Sequence, residues 1–154
     1  MIRTISKTVA PLKRRVYLMI SRAVVALVHD ARKLQEVQIT GFAGETIDGA
    51  ERVQQYGFTS VPHAGAEAIL LSIGGNRSHP VVIAVDDRRY RLTALEGGEV
   101  ALYDDQDQKI HIKRDGIEIS SPFEVKLVCG DSSLVLQPSA VRLVTPDFEA
   151  SEAP

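Results

Sequence analysis

The fold of this chain is decided by alternating runs such as Lys109-Ile110-His111-Ile112-Lys113 and Ile117-Glu118-Ile119. Turn residues such as Asp115-Gly116 and Gly130-Asp131 separate one run from the next. Alternation of apolar and polar residues with a period of two is typical of β-strands with one buried and one wet face. The sequence therefore predicts strands at 99–103, 109–113, 117–119, 123–127, 134–136 and 141–143.

No helical pattern follows these runs to cover their apolar face. About 55 residues of short strands give a thin core for one chain, because small units bury only a modest part of their surface. We therefore expect other copies of the chain to supply the missing cover.

The composition favours a soluble, folded protein. The 154 residues are 44% hydrophobic and 25% charged, unlike a disordered chain. Aromatic residues make up only 5% and Trp is absent, so a row of stacking platforms for single-stranded nucleic acid is not expected. The single cysteine, Cys129, excludes an intrachain disulfide and a cysteine-based metal cluster.

The charge is divided unevenly along the chain. Residues 1–98 contain 13 Lys or Arg and 9 Asp or Glu, whereas residues 99–154 contain 5 and 11. The first acid, Asp30, follows a basic arm, which indicates an anionic or acidic partner or a solvated face. The sequence shows no pattern of a signal peptide or a membrane span, so folding in the cytoplasm is expected.

Residues 1–20 are predicted to form an N-terminal arm that ends in a short amphipathic segment, with Pro11 in a first helical turn. Residues 21–92 are rich in strand signals, and 44–49 is predicted to be a loop or hairpin. About five strands without a long helix favour a small barrel, with an OB-fold as the leading candidate. The predicted strands are 23–28, 37–39, 53–58, 66–73 and 81–85, with 89–92 as a further candidate.

The remaining boundaries follow from glycines and polar residues. Residues 93–98 form a linker, in which Gly97 and Gly98 permit a change of chain direction. The alternating runs occupy residues 99–146, and residues 147–154 form a polar C-terminal tip or tail. The predicted fold class is therefore all-β, with an N-terminal OB-fold barrel followed by strands that several chains share.

Three long segments carry a resemblance to a known family. They are QYGFTSVPHAGAE at 55–67, GGNRSHPVVIAVDDRRYR at 74–91 and GEVALYDD at 98–105. Together with the N-terminal arm they span nearly the whole chain. On these segments the sequence resembles the phage Mu-type baseplate spike family, also called the baseplate assembly protein V family.

The resemblance implies a homotrimeric spike at the base of a contractile tail. In that family the OB-fold domain attaches to the baseplate hub. The C-terminal parts intertwine into a three-stranded β-helix needle, which pierces the host outer membrane when the tail contracts. The resemblance also implies a structural protein of the virion, present in the host cytoplasm during assembly, with no enzymatic step and no cofactor.

The alternating runs fit this architecture if each strand pairs with strands of neighbouring chains, which leaves no free sheet edge along the shaft. Their apolar residues would then face the threefold axis. The predicted axis residues are Val100, Leu102, Ile110, Ile112, Ile117, Ile119, Val125, Leu127, Leu134, Leu136, Val141 and Leu143. The basic arm is the predicted hub contact, through Arg3, Lys7, Lys13, Arg14 and Arg15.

The sequence departs from the family at its tip. Many of these spikes end in a His-x-His motif that holds one iron between three chains. The histidines here are His29, His63, His79 and His111, and no two are close in sequence. We therefore do not predict the family's iron site in this chain, and His111 is only a weak metal candidate. Residues 147–154 form the apex with an axial ion, or they accept a separate tip protein.

Two other classes of function are kept as alternatives. An OB-fold that binds nucleic acid needs a basic and aromatic face, and Arg88, Arg89, Tyr90 and Arg91 form the only such cluster in the barrel region. The other alternative is a trimeric assembly scaffold without a piercing role. The sequence contains no Gly-x-Ser-x-Gly elbow and no phosphate-binding loop, so no catalytic residue is predicted.

Overall fold

The structure is a computed structural model that describes residues 2–41 and 44–148, with side chains from Val9 onward. The chain divides into two compact units, Met1–Arg91 and Leu92–Pro154. Within the described residues the first unit contains one α-helix and five strands, and the second contains six strands. The predicted all-β class is confirmed for the body of each unit, and the N-terminal helix is an addition to it.

The first unit is a closed barrel of five strands that follows helix α1, Ile2–Tyr17. The strands are β1 Ile20–His29, β2 Gln35–Thr40, β3 Thr46–Arg52, β4 Glu67–Ser72 and β5 Pro80–Asp86. Their order around the barrel is β1-β2-β3-β5-β4. Only β3 and β5 pair in parallel among these described strands, and the other pairs are antiparallel. The predicted OB-like barrel is therefore confirmed.

The barrel core is built from alternate residues of these strands. On β2, Val37 and Ile39 are fully buried and their neighbours are partly exposed, as the period of two requires. Four of the core residues are alanines, and such small side chains fit the interior of a narrow barrel. The buried apolar residues are Ala23, Val25, Val37, Ile39, Ala50, Ala66, Ala68, Leu70 and Val82.

The segment 53–58 is a loop, so the prediction of a strand there is wrong. Strand β3 lies earlier, over Thr46–Arg52, and its first half falls in the segment 44–49 that the sequence predicts as a loop or hairpin. After it, the Phe58 N–H donates to the Gln55 carbonyl at 3.0 Å, and Gly57 takes a φ of +87° that other residues avoid. Gly57 therefore fixes a turn, although Val53 and Phe58 in the same segment are residue types that favour strands.

The prediction of a possible strand at 89–92 is also wrong, because Asp87 begins a tight turn. The Asp87 carboxylate accepts the Arg89 N–H at 3.1 Å, and its carbonyl oxygen accepts the Tyr90 N–H at 3.1 Å. Aspartate is favoured at such positions because its side chain bonds the backbone two residues further on.

Helix α1 is longer than the short segment that the sequence predicts. It runs from Ile2 to Tyr17 with Pro11 in its interior, not in its first turn. An interior proline removes a backbone hydrogen bond and typically costs about 3 kcal/mol. Since helices of this length are marginal in isolation, α1 depends on packing against other residues. One such contact is with the 3-10 turn Ile73–Gly75 of the same unit.

Gly75 lies directly against the backbone of α1. Its φ is +72°, and a Cβ built on it would lie 2.7 Å from the Arg15 carbonyl oxygen. Gly74 has a similar φ of +65° and open space around it. We expect Gly75→Ala to lower the free energy of unfolding by about 1–3 kcal/mol more than Gly74→Ala. Both changes strain the backbone, but only the first displaces α1. Thermal unfolding followed by circular dichroism measures the difference, and equal effects would contradict this contact.

The second unit consists of two antiparallel sheets of three strands each. The first sheet holds β6 Val100–Tyr103, β7 Lys109–Ile112 and β8 Ile117–Ser120 in that order. The second sheet holds β9 Val125–Cys129, β10 Ser132–Gln137 and β11 Ala140–Val144. All six strands that the alternating runs predict are present, so this part of the prediction is confirmed.

The pairing of these strands differs from the expectation that every strand pairs with neighbouring chains. The middle strands β7 and β10 use both edges for pairing within the chain. Consecutive antiparallel strands joined by short turns form such meanders readily. Among the strands that the structure describes in this unit, pairing with another chain is therefore open only to β6, β8, β9 and β11.

Candidate assembly surfaces

The first sheet gathers six predicted axis residues on one face. Its register places Ile112 between Val100 and Ile117. The next row on the same face consists of Leu102, Ile110 and Ile119. Cross-strand neighbours share a face, so these six side chains form one apolar patch, and they are between 41% and 71% exposed in the single chain.

The second sheet repeats this arrangement with the other six predicted axis residues. Its rows are Val125, Leu136 and Val141, and then Leu127, Leu134 and Leu143. The opposite face of this sheet is mixed rather than polar, because Val128 and Val144 are also exposed there. The structure therefore brings the twelve predicted residues together in two apolar patches, one on each sheet.

The opposite face of the first sheet is charged. Glu118 forms ion pairs with Lys113 and with Lys109, whose Nζ lies 3.5 Å from Glu118 Oε1. The hydrogen bond from Lys113 and the charge of Lys109 lower the pKa of Glu118 from 4.5 to about 2. The first sheet thus has one apolar face and one charged face, and only the apolar face gains from burial against other protein surfaces.

The ionised Glu118 makes the stability of this sheet sensitive to acid. A carboxyl whose pKa falls on folding stabilises the folded state above its ordinary pKa, and this contribution is lost as the pH falls from about 4.5 to about 2. We expect the unfolding temperature of the wild type to fall more across this range than that of Glu118→Gln. Scanning calorimetry at several pH values measures this unfolding temperature. Glu124→Gln is the control, because it removes a carboxylate elsewhere in the chain. Equal acid sensitivity of wild type and Glu118→Gln would contradict the prediction.

His111, the weak metal candidate, lies on the charged face and contacts Glu99. Its Nε2 is 3.1 Å from Glu99 Oε2, and the two side chains are 13% and 9% exposed. The Glu99 carboxylate also accepts the Glu96 N–H at 3.0 Å, and this hydrogen bond is the main cause of its lowered pKa. His111 thus lies on the face opposite the apolar patch, where it is mostly buried beside Glu99. Within the described residues of one chain, no three His, Cys, Asp or Glu side chains are grouped to hold a metal ion.

The barrel unit carries an uncharged loop between β3 and β4. Residues 53–66 contain no Lys, Arg, Asp or Glu, and Tyr56 and Phe58 are exposed in it. Exposed aromatic side chains on a loop of fixed conformation are typical anchors of protein–protein contacts. The run without charge is the signal by which this surface could have been recognised from the sequence.

Polar side chains beneath this loop hold it in place. Arg52 donates hydrogen bonds to the Ser60 carbonyl at 2.6 Å and to Gln35 Oε1 at 2.7 Å. The buried Gln35 amide donates to the same carbonyl at 3.0 Å and to Asp30 at 2.6 Å. Burial lowers the pKa of Arg52, and the charge of Asp30 opposes that shift. The local sequence pattern gives no signal of this network, because its members come from separate segments of the chain.

The arginine cluster after β5 is paired with acids. Arg88 lies 2.9 Å from Glu67, and Arg89 lies 2.6 Å from Asp87. The hydrogen bond from Arg89 lowers the pKa of Asp87. Such pairing removes much of the positive potential that binding to phosphates requires. The arrangement therefore argues against the alternative of a nucleic-acid site at this position.

The predicted hub residues lie on α1. Lys13, Arg14 and Arg15 are exposed in its C-terminal half. The side chains of Arg3 and Lys7 lie outside the described residues. In the part of the chain that the structure describes, no helix has the length and apolar character needed to cross a membrane.

Comparison with known proteins points to one group of phage proteins. The family model described as "Bacteriophage Mu Gp45, N-terminal" matches residues 22–89, which lie within the barrel unit. "Baseplate puncturing device gp45" of Escherichia phage Mu is 38% identical over 134 residues, which cover 87% of this chain and 68% of that protein. "Mu-like prophage FluMu protein gp45" of Haemophilus influenzae strain Rd is 43% identical over 117 residues, which cover 76% of this chain and 64% of that protein. The chain thus spans about two thirds of the length of both relatives.

Proposed function

Since this chain belongs to the phage Mu gp45 family of baseplate proteins, we propose that it is the structural spike of a contractile tail baseplate. It assembles as a homotrimer, attaches to the baseplate hub through the barrel unit and pierces the host outer membrane with the second unit, which we call the shaft. The phage Mu relative is named a baseplate puncturing device, which supports the piercing role. Its place is the tail of the virion, after assembly in the host cytoplasm.

The observation that carries this proposal is the pair of apolar patches on the shaft. Monomeric proteins rarely leave such patches in water, whereas three chains cover them around a common axis. Each large apolar side chain contributes roughly 1.5–3 kcal/mol when it becomes fully buried. We assign the twelve patch residues to the axis of an intertwined, three-stranded β-helix, in which the outer strands of each sheet meet those of neighbouring chains.

The relatives support a structural role rather than a catalytic one, because their names describe baseplate and puncturing proteins. The proposal accordingly includes no enzymatic step and no resident cofactor. At the apex, an axial ion or a separate tip protein completes the spike. Of the predicted tip, residues 147–154, the structure describes Asp147 and Phe148, and the rest lies outside the described residues.

Attachment to the hub is assigned to the basic residues of α1. Removal of residues 2–17 is expected to leave a folded trimer, because it keeps Met19, whose carbonyl accepts the Ser72 N–H at 2.7 Å. Binding to the hub protein of the same tail should weaken by about tenfold or more, since attractive charges are lost. Surface plasmon resonance at low and high salt measures the affinity of the truncated and wild-type proteins for the hub protein.

A full-length variant with Lys13, Arg14 and Arg15 changed to Gln separates the charges from the helix that carries them. Its hub binding should be weaker than that of the wild type and should depend less on salt, because screening acts only on charged contacts. Unaltered hub binding by the truncated trimer would contradict the assignment.

The piercing role is tested in the tail that contains this protein, with a chain that ends before Glu99. These tails should assemble and contract but should not breach the outer membrane, measured as release of a periplasmic enzyme from the target cells. Breach by such tails would contradict the role of the shaft.

A further inference from the structure

Helix α1 exposes an apolar stripe that the proposed function does not use. Val9, Leu12 and Val16 are 48%, 63% and 57% exposed. The contact of α1 with the 3-10 turn is made near Arg15, whose backbone approaches Gly75. Because a helix of this length with an interior proline is marginal alone, the stripe is the surface through which further packing can stabilise it.

The stripe belongs to a heptad pattern. Toward the N-terminus, Ile5 and Ile2 continue the spacing of Val9, Leu12 and Val16, so apolar residues recur at alternating intervals of three and four. These are the a and d positions of a coiled coil, with Ile2, Val9 and Val16 at a and with Ile5 and Leu12 at d. A period of 3.5 residues favours left-handed packing of a helix against copies of itself.

The other positions of the helix are consistent with such a seam. Arg3 occupies position b, Lys7 and Arg14 occupy position f, and Pro11 occupies position c, all on the outer side of a coiled coil. Only two positions in each heptad are apolar throughout. That stripe is narrower than the broad apolar face of a helix that lies on a membrane.

The flanking positions permit parallel association. In a parallel bundle, a residue at g lies beside the residue at e that follows five positions later in the next helix. Here Thr8 would lie beside Lys13, so no pair of like charges at these positions opposes assembly. Arg15 is the other g residue, and the position five residues later, Ile20, already belongs to strand β1.

We propose that the three copies of α1 in the trimer pack as a parallel three-stranded coiled coil along residues 2–16. The occupant of the apolar stripe is thus the same helix of the other two chains. This inference rests on the proposed trimer, whose threefold symmetry supplies three parallel helices. The basic residues then lie on the outer surface of the bundle, where the hub can contact them. In this arrangement α1 serves both assembly and attachment.

Cysteine cross-linking of the full-length trimer tests this arrangement. In a Cys129→Ser background, Val9→Cys and Leu12→Cys place thiols in the seam, whereas Ala10→Cys and Arg14→Cys place them outside it. Under a mild oxidant, the two seam variants should give a band of two linked chains on a non-reducing denaturing gel. The two outer variants should give single chains, because their thiols lie beyond disulfide distance. Light scattering before oxidation reports whether each variant is trimeric.

The outcomes separate this inference from the proposed function. Equal cross-linking at seam and outer positions, or none at either in a trimeric sample, would overturn the coiled coil and leave the trimer intact. A single-chain mass before oxidation would contradict the proposed function instead. The same variants are sedimented with vesicles that contain anionic phosphatidylserine. If α1 binds these vesicles and shows no seam cross-link, the stripe is a membrane-binding surface and the coiled coil is wrong.

Discussion

Ile112→Asp is expected to convert the proposed trimer into single chains. Ile112 lies in the middle of a row in the first apolar patch, between Val100 and Ile117. In the trimer that we propose, its three copies approach one axis. Three carboxylates there would lose hydration and repel one another, and an unpaired buried charge costs on the order of several kcal/mol. Light scattering on a sizing column should report the mass of one chain, while circular dichroism should still report a folded barrel unit.

Ser120→Asp is the matched control, because it adds the same charge to the opposite face of the same sheet. Ser120 lies beside Lys109 in the register, so the new carboxylate gains a partner of opposite charge. This variant should remain trimeric. A trimeric Ile112→Asp protein with unchanged thermal stability would show that the apolar patch does not face other chains.

Ile39→Ala is expected to destabilise the barrel unit without dissociating the proposed trimer. The Ile39 side chain is 0% exposed, and its neighbours in the register are Val25 and Ile47. Its truncation leaves a cavity and typically costs about 2–5 kcal/mol. For a unit of this size each kcal/mol lowers the unfolding temperature by roughly 4–8 °C, so the barrel transition should fall by about 10 °C or more. Scanning calorimetry measures that transition, and light scattering measures the mass.

Ile83→Ala removes the same atoms from an exposed position on β5 and serves as the control. Because Ile83 is 51% exposed, its truncation should lower the barrel transition far less. If Ile39→Ala protein were monomeric, the barrel and not the shaft would hold the three chains together, contrary to the assembly that we propose.

The strands of the second unit could be predicted because their signal is local. Each alternating run is short and ends at turn residues, as at Gly130-Asp131. Alternation also predicts which residues share a face, and the observed register keeps Leu102, Ile110 and Ile119 in one row. Alternation does not determine which strands pair. The pairing within one chain follows instead from the short turns between consecutive strands.

The barrel loop and the helix could not be predicted in the same way. Phe58 and its neighbours have strand-like composition, yet hydrogen bonds from Arg52 and Gln35 to Ser60 fix their segment as a loop. Gln35 lies 25 residues before Ser60, so local propensity carries no information about that contact. Because proline is favoured in a first helical turn, the sequence predicts Pro11 there, whereas the helix extends on both sides of it.

The native mass of the full-length chain is the measurement that tests the trimeric spike most directly. Light scattering on a sizing column gives this mass, and an unheated SDS gel reports how strongly the chains hold together. We predict a mass of three chains and a three-chain band that SDS does not dissociate without heating, because interwoven chains must separate together. A mass of one chain would leave both apolar patches uncovered and would contradict the trimeric spike.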